Sequence, residues 1–177
     1  MPLRTARPVL PHAHRPRRLR PTAGFAVVEL CVVVFIIGLL AAISLPTMKR
    51  VSQKARVSAV ANDLRTFTTA LQTYNLQNGK WPADVTPKVM PREMVGALPT
   101  AFTRKTPIGG YYDWDQNVSP NGFLTKAAIT LITQGTDKLS GDTALLTAID
   151  KALDNGNLKT GNVRLGSTNA LVYIIEL

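Results

Sequence analysis

Apolar and polar positions divide this chain into stretches of different period. From 25 to 45 the sequence reads FAVVELCVVVFIIGLLAAISL, interrupted only by Glu29 and a few small residues. At about 1.5 Å per helical residue such a run covers roughly 30 Å, the thickness of a bilayer's hydrocarbon core, so it predicts a membrane helix. Beyond Pro46 polar residues enter. Val57, Val60, Leu64, Phe67, Leu71 and Tyr74 then recur at alternating spacings of three and four, which sets them in one stripe on a helix. Asn78-Gly79 supplies an end, because glycine accepts the left-handed conformation just past a helix, and Pro82 blocks continuation. With Pro46 kinking the helix, not breaking it, one helix runs from 25 to 78. Its apolar part covers 25–46 and its amphipathic part 47–79.

The remainder, 80–177, has other periods. Between 80 and 121 Pro, Gly and aromatic residues are dense, which predicts a long ordered loop with little regular structure. AAITLIT at 127–133 and ALVYIIE at 170–176 have the apolar content of buried strands. Leu145, Leu146, Ile149 and Leu153 share a helical face over 142–153, with Asp142 as N-cap and Gly156 as the stop. Residues 163–165 form a short partner strand turning through Gly166-Ser167. The expected fold class is α+β, a long N-terminal helix packed through its stripe on a small C-terminal antiparallel sheet with one extra helix.

Charge changes the picture at one end. The formal net charge is +10, but 1–24 carries six arginines (Arg4, Arg7, Arg15, Arg17, Arg18, Arg20) and no acid. Without them 15 basic residues face 11 acidic ones, a balance of only +4. The basicity belongs to a Pro/Arg-rich leader expected to lack structure, and it gives little reason to expect nucleic acid as a partner. The single cysteine, Cys31, sits inside the apolar run, so no intramolecular disulfide staples the domain.

An ordinary secretory signal places its small-residue cleavage site after the apolar stretch. Here that stretch ends ISLPTMKR, and the small residue is Gly24, between the arginines and the apolar run. A cut there removes the charges and leaves the apolar helix as the new N-terminus. GFAVVELCVVVFIIGLLAAISLP resembles the class III signal and N-terminal helix of type IV pilins and type II secretion pseudopilins. The resemblance implies a pilin fold and cleavage by a prepilin peptidase after Gly24. It also implies N-methylation of Phe25 as the new N-terminus, Glu29 at the fifth mature position and Pro46 as the helix-kinking proline. YNLQNGKWPAD is similar to the corresponding stretch of major pseudopilins, which tilts the resemblance toward secretion.

Glu29 carries the strongest physical argument. An acid inside a membrane segment costs a few kcal/mol unless paired. The α-amino group of a neighbouring copy is the partner the resemblance implies, and in a low-dielectric filament core the two attract strongly. The bland alternative places Glu29 at the headgroup level. Gly38, Ala41, Ala42 and Ser44 offer positions for close helix packing, as small residues do in any membrane helix. Basic residues flank the apolar run on both sides, with five arginines before it and Lys49, Arg50, Lys54, Arg56 and Arg65 after it, so charge alone does not orient it. The resemblance implies a cytoplasmic leader, a single pass through the inner membrane and a periplasmic domain.

Other features have bland readings beside their functional ones. Asp113, Asp115 and Asn117 alternate as in a calcium loop, but an EF-hand needs Gly and Glu where this chain has Val118 and Leu124. Asp113 and Asp115 stay as calcium candidates because some major pseudopilins bind calcium in a C-terminal loop; a solvated acidic turn is the simpler expectation. His12 and His14 lie in the leader with no carboxylate or thiol beside them. Trp81, Tyr111, Tyr112 and Trp114 suit either a stacking surface or anchors for the loop. No catalytic set emerges, so no enzyme activity is expected.

The function expected is that of a structural subunit of a pilus-like or pseudopilus filament. Its partners would be prepilin peptidase, inner-membrane assembly machinery, membrane lipid before assembly, and copies of itself in a helical homopolymer. Two alternatives stand beside it. One is a minor pilin whose exposed loop binds DNA, a surface or a secreted substrate. The other is a single-pass anchored protein that never polymerises.

Overall fold

A computed structural model describes residues 26–119, 122, 124–166 and 169–177, the side chains of 43–47 excepted. The long helix is present as α1, Val27–Asn78. It ends where expected: Gly79 takes a φ of 67° and its N–H reaches back to the Asn75 carbonyl at 2.8 Å. The chain divides into two units between Ile43 and Ser44. In the first, every residue from 26 to 42 is exposed. Among the described residues no helix is long and apolar enough to cross a membrane. Of the span expected over 25–45, the helical part with described side chains is 27–42, about 24 Å of helix against a hydrocarbon core of roughly 30 Å.

The second unit is a four-stranded sheet with the amphipathic part of α1 and a second helix. Its strands are β1 (Tyr111–Val118), β2 (Thr125–Ile132), β3 (Val163–Leu165) and β4 (Leu171–Glu176). They lie in the order β1-β2-β4-β3, each neighbouring pair antiparallel. Helix α2, Thr143–Leu153, joins β2 to β3 and is capped by Asp142, whose carboxylate accepts from the N–H groups of Ala144 and Leu145. The predicted strands and extra helix are therefore in place.

One element differs from expectation. Residues 80–121 are not a long loop throughout: they hold 3-10 turns at Arg92–Met94 and Thr100–Thr103 and, at their end, all of β1. The sequence YYDWDQNV alternates acids or amides with aromatics, and the polar positions read as a turn. In the sheet Tyr112 and Trp114 are buried against the helix side of the core, while Asp113 and Asp115 occupy the opposite face. Gly109 and Gly110 make the tight entry into β1 with φ of 87° and 68°, and a Cβ there would lie 2.2 Å from the Lys138 carbonyl oxygen and 2.4 Å from that of Ile132. Only glycine fits both demands.

The core is the stripe read from the sequence. Val60, Leu64, Phe67 and Leu71 are buried with Tyr112, Trp114, Ile129, Leu131 and Leu146, and Val57 and Tyr74 pack at the margins. Phe67 sits edge-on to Phe102 at 5.3 Å and to Tyr112 at 5.0 Å between ring centres. Arg65 donates to the Ala152 carbonyl in the last turn of α2, a favourable place for a cation on a helix. Both outer strands are covered along their free sides. The N–H groups of Val85 and Lys88 donate to the carbonyls of Trp114 and Tyr112 in β1, and the Leu165 N–H of β3 donates to Leu158.

Candidate assembly helix and the acidic strand

Glu29 lies in the first turn of α1, fully among exposed apolar neighbours such as Val28, Leu30 and Val32. A carboxylate at this end of a helix is favoured by the macrodipole. Glu29 forms no ion pair among the described residues; the ion pairs there are Lys105–Asp137 and Lys126–Glu176. Gly24 and Phe25 lie outside the described residues. The kink expected at Pro46 falls beside the boundary between the two units, and the Pro46 side chain is also outside them. The described end of this candidate site is therefore a helix of large apolar side chains, Phe35 68% and Leu40 62% exposed, with one carboxylate in its opening turn.

Asp113 and Asp115 lie together on one face of β1, not in a solvated turn. Each is only 9% exposed. The Thr130 hydroxyl, across the ladder on β2, donates to Asp115, and the Gln116 N–H donates to Asp84 beside them. One oxygen of Asp113 is buried without a hydrogen-bond partner. Burial, then the neighbouring charges of Asp115 and Asp84, raise the Asp113 carboxyl to about 8. Burial also raises Asp115, against the opposing hydrogen bond from Thr130. As for calcium, among the described residues no three His, Cys, Asp or Glu side chains are placed to share a metal, whereas calcium takes about 6–8 oxygens. Burial and the neighbouring acids thus favour the protonated form of Asp113, while Asp115 beside it is held by the Thr130 hydroxyl.

That geometry sets a pH dependence. The folded Asp113 carboxyl holds its proton up to about 8, against an ordinary value of 3.8, so the stability it contributes is complete below the ordinary value and is lost as pH climbs to the folded one. The thermal midpoint should therefore fall between pH 5 and about 8.5, and Asp113→Asn should flatten that fall, gaining on the order of 2 kcal/mol at the alkaline end. Melting curves of the two proteins across that range check it. A wild-type midpoint that climbs with pH contradicts it, and a calcium-induced rise abolished by the substitution would return the pair to cation binding.

The aromatic residues act as anchors. Trp114 donates to the Pro82 carbonyl at 3.1 Å, Tyr112 to Asp63 at 2.9 Å, Trp81 to Glu176 at 2.7 Å and Tyr111 to Asp137 at 2.9 Å. Each polar end is tied to another segment, and the loop after α1 is thereby fastened to the sheet. Thr130 and Asp84 were missed in the sequence, since only the β1–β2 register and the crossing of the 82–88 segment bring them to the acidic pair.

No family model matches the chain. It is 34% identical over 64 residues to the type II secretion system core protein G of Pseudomonas aeruginosa, a match covering 36% of this chain and 45% of that protein. It is 36% identical over 63 residues to the type IV major pilin protein PilE1 of Neisseria gonorrhoeae, covering 36% of this chain and 38% of that one. The chain thus spans less than half the length of the curated relatives it matches. Among solved structures, that of the major type IV pilin PilA1 from Clostridium difficile aligns with 71% of this chain and 97% of its own at a TM-score of 0.48 and 14% identity. The resemblance first carried by Gly24, Phe25 and Glu29, to type IV pilins and type II secretion pseudopilins, is matched by named proteins of both kinds.

Proposed function

We propose that this chain is a structural subunit of a pilus-like or pseudopilus filament, held by its apolar helix in the inner membrane until it joins the polymer. The observation that supports this most is the helical run 27–42, exposed at every residue. So many apolar side chains require cover, and lipid before assembly followed by equivalent helices of other copies supplies it in turn. Contacts of that kind join unlike surfaces of successive copies, so they do not close, and a fibre results.

Cleavage after Gly24 by a prepilin peptidase would free the Phe25 amino group, and that ammonium is the partner Glu29 lacks within its own described chain. The pairing would fix how far one copy is displaced from the next along the axis. Mass spectrometry of the N-terminus of membrane-extracted protein tests the first step: a chain beginning with methylated Phe25 is the expected result. An intact leader, or a cut after Leu45, removes the proposal.

A further inference from the structure

Between the amphipathic part of α1 and the start of α2 runs a groove of about 550 Å³, within the range of roughly 300–1,000 Å³ that holds small organic ligands. Its floor is apolar, with Val57 on one side and Ala144, Leu145 and Ala148 on the other. Its rim is cationic: Arg50 and Lys54 line the α1 edge, one helical turn apart and both exposed. Neither has an ion-pair partner among the described residues, whose ion pairs lie elsewhere. Asp142, the acid that opens α2, is engaged by the amides of Ala144 and Leu145. Two like charges side by side over a greasy floor suit a ligand that is anionic at one end and hydrocarbon at the other.

We propose that this groove binds an anionic phospholipid, with the headgroup phosphate on Arg50 and Lys54 and an acyl chain along Val57 and Leu145. Free phosphate would satisfy the rim and leave the floor wet; an apolar peptide would cover the floor and leave the cations unanswered. In sequence Arg50 follows the exposed apolar segment by eight residues, where a chain held by that segment meets headgroups, and basic residues in such a position draw anionic lipid. The inference goes beyond the filament reading and does not need a polymer.

Native mass spectrometry of the full chain in non-ionic detergent, titrated with phosphatidylglycerol or phosphatidylcholine of matched acyl chains, tests it. Phosphatidylglycerol should be retained in preference by about tenfold, and the preference should vanish in the Arg50→Gln/Lys54→Gln double variant. Lys80→Gln/Lys159→Gln, with the same change of charge, should keep it. The groove assignment falls if the two lipids are retained equally, or if the rim variant keeps the preference. It also falls if glycerophosphoglycerol without chains displaces the lipid, which would mark a phosphate site only. A photo-cross-linker at Ala148 that joins two copies and captures no lipid overturns it in favour of protein docking. Equal melting temperatures of the variants and the parent confirm that the readout is binding and not folding.

Discussion

Glu29→Ala is expected to leave leader removal and membrane association unchanged while lowering filament yield about tenfold or more. The carboxylate sits in the first turn of α1, surrounded by exposed valines and leucines, and has no ion-pair partner among the described residues. For an isolated anchored protein, removing such an acid eases insertion. For a subunit, it leaves a neighbour's ammonium in the filament core without its counter-charge, which is the costlier half of a broken pair. Glu29→Gln separates charge from shape: it keeps the side chain's size and should assemble as poorly as the alanine variant. Sheared filaments quantified against total processed protein give the ratio. Wild-type yield from both variants would count against the pairing of Glu29 with a neighbouring N-terminus.

Phe67→Ala should destabilise the second unit by about 3–5 kcal/mol, the cost of emptying a buried aromatic site. Phe67 is 1% exposed and is the ring on which Phe102 and Tyr112 both converge. Tyr112 in turn reaches Asp63 on the same helix, so the cavity would loosen β1 and the 3-10 turn at Thr100–Thr103 together. Leu76→Ala, on a side chain 86% exposed, provides the contrast and should change stability by no more than about 0.5 kcal/mol. Thermal melts of the full chain distinguish the two. A loss at Phe67 no greater than that at Leu76 would mean the stripe on α1 does not carry the domain.

Much of this architecture was legible because single features had single causes. The three-and-four spacing from Val57 to Tyr74 admits one helical face, and the domain buries that face. Asp142 could be placed as a cap because an acid before an apolar helical period has little else to do, and its carboxylate is found on the amides of Ala144 and Leu145. Strand β1 was illegible for a physical reason. A strand usually shows one apolar and one polar face, and a reader assigns the polar one to water. Here the polar face carries Asp113 and Asp115 yet is nearly closed, by Thr130 across the ladder and by the segment around Asp84. Nothing in YYDWDQNV announces that cover. The groove is hidden for the same kind of reason: Arg50 and Lys54 stand some ninety residues from Ala144 and Ala148 in the chain, and only tertiary packing makes them neighbours. Glu29, by contrast, was conspicuous because its chemistry disagrees with everything around it.

The two outer strands of the sheet have a consequence for how copies of this protein can and cannot join. An open β-edge is an invitation to add another molecule's strand, the route by which folded domains slide into amyloid-like aggregates. Here the amides of Val85 and Lys88 already occupy carbonyls along β1, and β3 is three residues long with Leu165 turned back to Leu158. Uncontrolled growth through the sheet is thereby blocked, and any ordered association between copies has to be specified somewhere else along the chain.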